Sequence, residues 1–184
     1  LIAESDGGKL SEDELVATVI LLLNAGHEAT VQAIGNGAKT MLDQGVDARA
    51  AFASESASAA TVEELLRLDP PLHLFARYAL EEVEFAGVRL RRNEKIGLLL
   101  GAANRDPERF PKPDAFDPAR APNAHVSFGA GIHFCVGAPL ARLELAVTLP
   151  ILFARLPGLR LIEPPRYRDA FHFHGLEALR VEWA

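Results

Sequence analysis

The longest run of hydrophobic positions follows Ser11-Glu12-Asp13-Glu14 and continues from Leu15 to about Leu42. A serine with a glutamate three residues later, just before such a run, is the capping box that begins many helices. About 30 residues that each rise about 1.5 Å predict a helix of roughly 45 Å, long enough to cross a whole domain. Residues 16–23 are hydrophobic on every side of this helix, so we expect its middle to be buried.

The chain that follows predicts a poorly helical stretch and then a short helix. Residues 43–60 are small and polar, rich in alanine and serine, and indicate weak helical preference. Thr61-Val62-Glu63-Glu64 is a second capping box, which predicts the start of a short helix. We expect this helix to end before Pro70-Pro71, because the residue before a proline avoids helical geometry.

The second half of the chain predicts short strands, an irregular segment and one more helix. Two strand-like runs extend from Tyr78 to Phe85 and from Lys95 to Gly101, and Ala86-Gly87 forms a turn between them. Residues 104–122 contain five prolines and predict an irregular segment. A helical segment then runs from Pro139 to Pro157-Gly158. The tail from Leu159 to Ala184 alternates enough around Leu176 to Trp183 to indicate a last pair of strands. We therefore expect a mainly α fold with a small β part.

The only cysteine of the chain lies in a glycine-rich loop. Residues 128–142 have the sequence FGAGIHFCVGAPLAR, in which Cys135 is followed directly by the predicted helix. Glycine permits a backbone that folds closely round a sulfur atom, and amides at a helix start favour a thiolate. A sulfur approached from one side suits a large planar metal cofactor, whereas zinc needs three or four protein ligands. The alternative is a buried, inert cysteine, but the glycines and Phe128 favour a ligand.

Composition and charge exclude several other classes of protein. The 184 residues are 49% hydrophobic and 24% charged, as in an ordinary soluble globular protein. The net charge of −6 and the lack of a basic run argue against nucleic-acid binding. A single cysteine excludes an internal disulfide framework and fits a reducing compartment. Residues 16–26 are too short a hydrophobic run to span a bilayer, and no signal peptide precedes them, so we expect a cytoplasmic protein without membrane contact.

The spacing of Phe128, Gly131, Cys135 and Gly137 resembles the haem-binding loop of the cytochrome P450 monooxygenases, whose pattern is Phe-x-x-Gly-x-x-x-Cys-x-Gly. The resemblance implies the cytochrome P450 fold, here its C-terminal portion from the long central helix onward. It also implies that residues 1–184 are the C-terminal, haem-binding half of a single domain. The implied cofactor is haem b (iron protoporphyrin IX), with the thiolate of Cys135 as the axial ligand of the iron.

Other cofactor contacts follow from the same resemblance. It assigns haem binding to Arg77, Phe128, Gly129, His133 and Gly137, in addition to the cysteine. Arg77 and His133 are the cations expected to meet the two haem propionates, whose charge must be compensated as the cofactor is buried. For each of these two residues, an ordinary surface cation is the alternative.

A Glu-x-x-Arg pair is the second feature that resembles the family. Glu64 and Arg67 lie three residues apart on the predicted helix, hence on one face and within reach of each other. By itself such a pair is usually a solvated surface pair. PPLHLFAR and PDAFDPAR follow it in the family's order, so the resemblance assigns Arg120 as the third member of a buried structural triad.

The long helix carries the expected catalytic segment and one departure from the family. Family members have Ala/Gly-Gly-x-Asp/Glu-Thr here, and the acid and threonine help to deliver protons to bound oxygen. Glu28 matches the acid, Ala29 stands in the place of the threonine, and Thr30 follows one residue later. A shift of one residue turns a side chain by about 100° round a helix, so Thr30 is not expected to replace the missing hydroxyl. Gly26 either admits a flat ring and its ligand or marks a close helix–helix contact.

These features together predict a soluble, bacterial-type haem-thiolate monooxygenase. The resemblance implies a small hydrophobic organic substrate, O2, and electrons from NAD(P)H through a reductase and a ferredoxin or flavodoxin. One alternative is a truncated fragment that binds haem weakly or not at all and is inactive. Another is a thiol-nucleophile enzyme at Cys135, which is disfavoured because no base pairs with it in a recognisable motif. The other histidines show no metal-ligand spacing and are interpreted as ordinary residues, namely His27, His73, His125, His172 and His174.

Overall fold

The computed structural model describes residue 3 and residues 8–184. Its helices are α1 (Glu12–Asp43), α2 (Ala48–Ala51), α3 (Glu55–Leu68), α4 (Leu100–Ala103) and α5 (Ala138–Arg155). Its strands are β1 (Leu74–Tyr78), β2 (Val83–Phe85), β3 (Val88–Leu90), β4 (Lys95–Leu99), β5 (Arg160–Leu161) and β6 (Val181–Glu182). The predicted mainly α fold with a small β part is confirmed.

The long helix α1 begins at the predicted capping box. The amide of Glu14 donates to the Ser11 hydroxyl at 3.3 Å, and the Ser11 amide donates to the Glu14 carboxylate at 2.8 Å. By length and hydropathy alone, α1 is the one helix among residues 8–184 that could cross a membrane. This is weak evidence, because the core helix of a soluble protein meets the same criteria.

The prediction that residues 16–23 are buried is wrong for the described part of the chain. Ile20 is 54% exposed and Leu23 is 69% exposed, whereas the buried residues of α1 lie between Gln32 and Met41. The physical reason is that the described elements pack only on the C-terminal half of this helix. There α1 approaches α5 so closely that a Cβ at Gly37 would lie 3.3 Å from the Leu149 side chain.

The helix α3 begins earlier than the second capping box predicts. Ser54 is its N-cap, and the Ser54 hydroxyl accepts from the Ala57 amide at 3.2 Å. Thr61 therefore lies inside the helix, where its hydroxyl donates to the Ala51 carbonyl at 2.9 Å. The alanines of residues 55–60 favour helix strongly enough to extend it from an earlier serine, so the expected weak helical preference of this stretch is also wrong.

The small sheets differ from the prediction mainly at their ends. Of the predicted strand Tyr78 to Phe85, only Tyr78, the last residue of β1, and Val83–Phe85, which form β2, are in strands, and residues 79–82 are not. The turn at Ala86-Gly87 is confirmed and joins β2 to β3. β1 pairs with β4 antiparallel, and the predicted run to Gly101 ends early because α4 begins at Leu100. The last strand β6 pairs with β5, so the expected strand pair near the C-terminus is present.

The core lies where α1, α3 and α5 meet. Met41, Leu65, Leu145 and Leu149 are each 3% exposed or less, and they belong to one cluster with the neighbouring alanines and Val62. Residues 104–122 form no helix or strand, as predicted for the proline-rich segment. This packing fixes the start of α5 against α1 and α3. The glycine-rich loop that precedes α5 is thereby held in place.

Candidate functional site

The loop before α5 folds tightly round Cys135. Gly129 and Gly131 have φ values of 71° and 65°, in the left-handed region that favours glycine. The amide of Cys135 donates to the carbonyl of Phe128 at 2.9 Å, and the amide of Ala138 donates to the carbonyl of Cys135 at 3.2 Å. Cys135 therefore sits at the entrance to the first turn of α5, with its backbone fixed on both sides.

The thiol of Cys135 is exposed and lines a large open cavity of about 1950 Å³. Small-molecule sites usually have volumes of roughly 300–1,000 Å³, so this cavity can hold a large cofactor together with a smaller molecule. Its walls come from the middle of α1, the start of β1, the end of β4, the cysteine loop, the first turns of α5 and the C-terminal segment.

The cavity brings together every residue that the sequence assigns to catalysis or cofactor binding. These lining residues are Glu28, Ala29, Thr30, Arg77, Phe128, Gly129, His133, Cys135 and Gly137. They come from α1, β1 and the cysteine loop, which are far apart in the sequence. The three residues assigned to the structural triad lie outside the cavity lining.

Two basic side chains of the cavity, Arg77 and His133, have no anionic partner among the described residues. The Arg77 guanidinium donates to the carbonyl of its neighbour Ala76 at 2.9 Å and forms no salt bridge in the described chain. His133 ends a short 3-10 turn, is exposed, and forms no side-chain hydrogen bond within residues 8–184. Both side chains can therefore meet negative groups of a ligand.

The α1 wall of the cavity is open at the glycine that precedes Glu28, Ala29 and Thr30. A Cβ at Gly26 would meet no described atom within 4 Å, so Gly26 does not mark a close contact between the described helices. Glu28, Ala29 and Thr30 are partly buried, and the side chains of Glu28 and Thr30 form no hydrogen bond to any described residue. This segment offers an acid and a hydroxyl to the cavity.

The residues present fit a large planar metal cofactor. One exposed sulfur faces a roomy cavity with mostly apolar side chains along its walls, and the unpaired side chains of Arg77 and His133 line the same cavity. A single thiolate with no second cysteine cannot form a zinc site of the usual composition. A porphyrin that carries its own ring nitrogens needs only one axial ligand from this wall.

The Glu64, Arg67 and Arg120 side chains are in contact in a buried network. Arg67 donates to both carboxylate oxygens of Glu64 at 2.8 Å, and both side chains are fully buried. Nε of Arg120 lies 3.2 Å from Oε1 of Glu64. Arg67 and Arg120 also donate to carbonyls of the proline-rich segment, at Asn104, Pro111, Lys112, Pro113 and Ala115. The network therefore ties α3 to a segment that has no regular hydrogen bonding of its own.

Sequence reasoning missed Asn104, which links this network to the cysteine loop. The Asn104 side chain accepts from the Val126 amide at 2.8 Å and donates to the Ser127 hydroxyl at 2.8 Å. Ser127 in turn donates to the Leu66 carbonyl of α3 at 2.7 Å. A single asparagine in an irregular segment carries no sequence signal of this role.

A cluster at Asp69, His73 and His174 was also not foreseen from the sequence. The three potential ligand atoms lie within 4.8 Å of one another. The His73 and His174 rings are stacked at 3.7 Å with an interplanar angle of 15°, and Tyr167 stacks on the other face of His174 at 3.9 Å. Two parallel imidazoles cannot both direct a ring nitrogen at one ion, so this arrangement is a packing element. Burial, followed by the charge of His174, lowers the pKa of His73 to about 4.

Comparison with known proteins identifies the family. The cytochrome P450 family model matches residues 58–156. The chain is 42% identical over 182 residues to the biotin biosynthesis cytochrome P450 of Bacillus subtilis, covering 98% of the chain and 46% of that protein. It is 44% identical over 160 residues to the 6-deoxyerythronolide B hydroxylase of Saccharopolyspora erythraea, covering 87% of the chain and 40% of that protein.

A solved structure shows the same fold. The myxobacterial cytochrome P450 CYP267B1, crystallised with myristic acid, matches with a TM-score of 0.92 and 40% identity. The match covers 100% of this chain and 46% of that one, so the chain spans about half the length of the relatives it matches. The sequence identity, the structural match and the cysteine loop agree. The chain belongs to the cytochrome P450 family.

Proposed function

We propose that the chain is the C-terminal, haem-binding half of a single haem-thiolate monooxygenase domain, in which residues 1–184 carry the thiolate ligand. Members of the family bind haem b through a cysteine thiolate and are monooxygenases. The observation that carries the proposal is the exposed thiol of Cys135 at the wall of the large cavity. The proposed reaction inserts one oxygen atom from O2 into a small organic substrate.

Cys135 is the proposed axial ligand of the iron. Its backbone is fixed by the hydrogen bonds to Phe128 and Ala138, and the residue lines the cavity. When bound, haem supplies the oxygen-activating chemistry, and thiolate ligation favours O–O cleavage. Gly129 and Gly137 keep the backbone on either side of the sulfur free of side-chain bulk, and the Phe128 ring lines the same wall.

Arg77 and His133 are the proposed partners of the two propionates. A carboxylate that leaves water needs a charge partner or hydrogen bonds, and both side chains lack an anionic partner among the described residues. Arg77 reaches the cavity from β1, whereas His133 reaches it from the cysteine loop. Two basic side chains from separate elements can orient a cofactor that carries two acids.

The α1 segment is the proposed route for protons. Glu28 is the acid that can take up and release a proton at the cavity wall. Ala29 has neither a donor nor an acceptor, and Thr30 is turned by about 100° from it round the helix. We therefore assign the last proton transfer to ordered water or to a hydroxyl of the substrate.

The Glu64, Arg67 and Arg120 network is proposed to support the fold and to take no part in chemistry. None of the three side chains lines the cavity. Removal of one partner from a buried charged network is strongly destabilising because it leaves an uncompensated charge. The network acts on the site only by holding the proline-rich segment and, through Asn104, the start of the cysteine loop.

The partners of the complete enzyme are proposed from the family. The mostly apolar cavity lining and the myristic acid bound to CYP267B1 favour a small hydrophobic substrate. Electrons would come from NAD(P)H through a reductase and a ferredoxin or flavodoxin, as the resemblance to the family implies. We further propose a cytoplasmic location, with no membrane or nucleic-acid partner, from the net charge of −6 and the single cysteine.

A second candidate is an inactive fragment that binds haem weakly or not at all. The exposed hydrophobic residues of α1, including Ile20 and Leu23, favour this description for the 184-residue chain alone. A reduced-plus-CO absorption spectrum on this chain, and on the complete polypeptide that carries it, separates the two candidates. We expect the band that gives the family its name in the complete polypeptide and a weak band or none in the 184-residue chain. Absence of the band from both would contradict the proposed function.

A further inference from the structure

Arg142, in the first turns of α5, is held in one position by a carboxylate of α3. Its Nε donates to Oε1 of Glu63 at 2.6 Å, and a second guanidinium nitrogen donates to Oε2 at 2.9 Å. A bidentate pair of this kind fixes both the place and the plane of the guanidinium. The guanidinium carbon lies 4.5 Å from the centroid of the Phe128 ring, within the range of a cation–π interaction.

Glu63 is itself fixed from the other side. The Nδ1 atom of His125 accepts from the Ser127 amide at 3.2 Å, which leaves Nε2 as the protonated nitrogen that donates to Glu63 at 3.2 Å. Burial would raise the pKa of Glu63, but the hydrogen bonds and charges of His125 and Arg142 together lower it to about 2. Glu63 therefore stays a carboxylate at neutral pH and keeps Arg142 anchored.

Phe128 links Arg142 to Cys135, because its ring lies under the Arg142 guanidinium and its carbonyl accepts a hydrogen bond from the Cys135 amide at 2.9 Å. The hydrogen bond with Glu63 is the main cause of the raised pKa of Arg142, burial opposes it, and negative charge on Glu63 and Cys135 raises it further. Phe128 and Cys135 line the cavity, whereas Arg142 is outside its lining. Arg142 can therefore act on the sulfur through its field and through the Phe128 ring, without contact with a ligand.

We propose that Arg142, anchored by Glu63 and stacked on Phe128, is a positioning residue that holds a compensating positive charge beside the Cys135 thiolate. The charge reduces the electron density that the sulfur donates, and so raises the reduction potential of the iron. The proposal rests on the proposed function of Cys135 as the haem ligand. Groups around a metal ligand commonly tune potential in this way, through charge and hydrogen bonding.

The test is the reduction potential of the haem-loaded complete polypeptide. Arg142→Gln removes the positive charge, and we expect the reduction potential to become more negative. The equilibrium constant for reduction should fall by up to about tenfold, which corresponds to about 59 mV for one electron. Arg142→Lys keeps the charge and should restore most of that shift. Glu63→Gln removes the opposing negative charge and should shift the potential in the positive direction. Arg160→Gln and Glu182→Gln, which break an exposed pair at the β5–β6 strands, are the matched controls and should leave it unchanged.

The opposite signs separate an electrostatic role from a merely structural one. Loss of packing would shift both variants the same way or not at all, and either result would overturn the proposal. If Arg142→Gln does not retain haem, Glu63→Gln and Arg142→Lys still decide. A positive shift of the potential in Glu63→Gln, together with a near-normal potential in Arg142→Lys, supports the proposal. Any other pattern overturns it. Failure of the proposed function is distinguishable, because the wild-type protein would then lack the thiolate reduced-plus-CO band.

Discussion

At the scale of single residues, Ala29 is where this chain departs from the family pattern. The structure places Ala29 at the cavity wall between Glu28 and Thr30, which is where the sequence predicts a proton route. An alanine side chain provides no hydrogen bond there, so under the proposed function the efficiency with which oxygen reduction leads to product would depend on water or substrate.

Ala29→Thr should therefore raise the amount of product formed per NAD(P)H and lower the peroxide released. The added hydroxyl can both donate and accept a hydrogen bond and so can pass a proton into the cavity. The measurement is this ratio in the complete polypeptide with a working electron donor and one substrate. Ala29→Val is the matched control, because valine has the shape of threonine without its hydroxyl. An equal ratio in all three proteins would mean that water or the substrate already carries the proton.

At the scale of secondary-structure elements, two side-chain contacts fix the proline-rich segment and the C-terminal segment. The network of Glu64, Arg67 and Arg120 joins α3 to the proline-rich segment. The stacked rings of His73, His174 and Tyr167 join the start of β1 to the C-terminal segment. Each contact joins segments that are far apart in the sequence.

Arg67→Ala should destabilise the complete polypeptide by about 3–5 kcal/mol, because it leaves the Glu64 carboxylate buried without its main partner. Chemical unfolding measures this, and haem content should fall in parallel while turnover per bound haem is preserved. Arg160→Ala breaks an exposed pair and should cost about 0–1 kcal/mol at most. Normal haem content and stability together with lost turnover would show that Arg67 has a chemical role.

Stability should fall as the pH drops from about 6.5 to about 4, in part because of His73. Burial and the charges of His174 and Arg105 lower the pKa of His73 from 6.5 to about 4, although Asp69 opposes them. In this window the unfolded chain binds a proton that the folded chain does not, so folding loses free energy as the pH falls. Unfolding measurements across this range should show a smaller pH dependence in His73→Gln than in the wild type. Equal slopes would mean that His73 is not held neutral by its surroundings.

The sequence predicted those features best that depend on strong local signals. The capping box at Ser11 and the spacing from Phe128 to Gly137 are local, and the structure shows the helix start and the tight loop at these places. The predicted start of α3 at Thr61 is wrong because Ser54 is a competing cap, and the helix propensity of the alanines between them extends the helix back to Ser54. The Asn104 and Asp69 contacts could not be predicted, since they depend on how distant segments pack.

At the scale of the whole molecule, the other described elements pack against only part of α1, the helix that forms one wall of the cavity. Its N-terminal half presents hydrophobic side chains, among them Val16, Ile20 and Leu23, to solvent. The chain spans about half the length of its relatives, and we propose that the remainder of the domain covers this surface.

Ile20→Glu should have opposite effects in the two forms of the protein. In the 184-residue chain alone it should reduce self-association, since an exposed hydrophobic patch favours aggregation. In the complete polypeptide it should lower the free energy of unfolding, because it buries an unpaired charge. Leu80→Glu, at a residue that is 85% exposed and outside this surface, is the matched control for both measurements. No loss of stability in the complete polypeptide would show that this surface stays exposed there.

The identity of the iron ligand determines the chemistry assigned to the whole cavity. Cys135 is the only cysteine, and its thiol is exposed at the cavity wall. The most direct measurement is the reduced-plus-CO absorption spectrum of Cys135→Ser in the complete polypeptide, beside the wild type. We predict that the wild type shows the band typical of thiolate ligation and that the variant lacks it. A variant that keeps this band would contradict the assignment of Cys135 as the axial ligand.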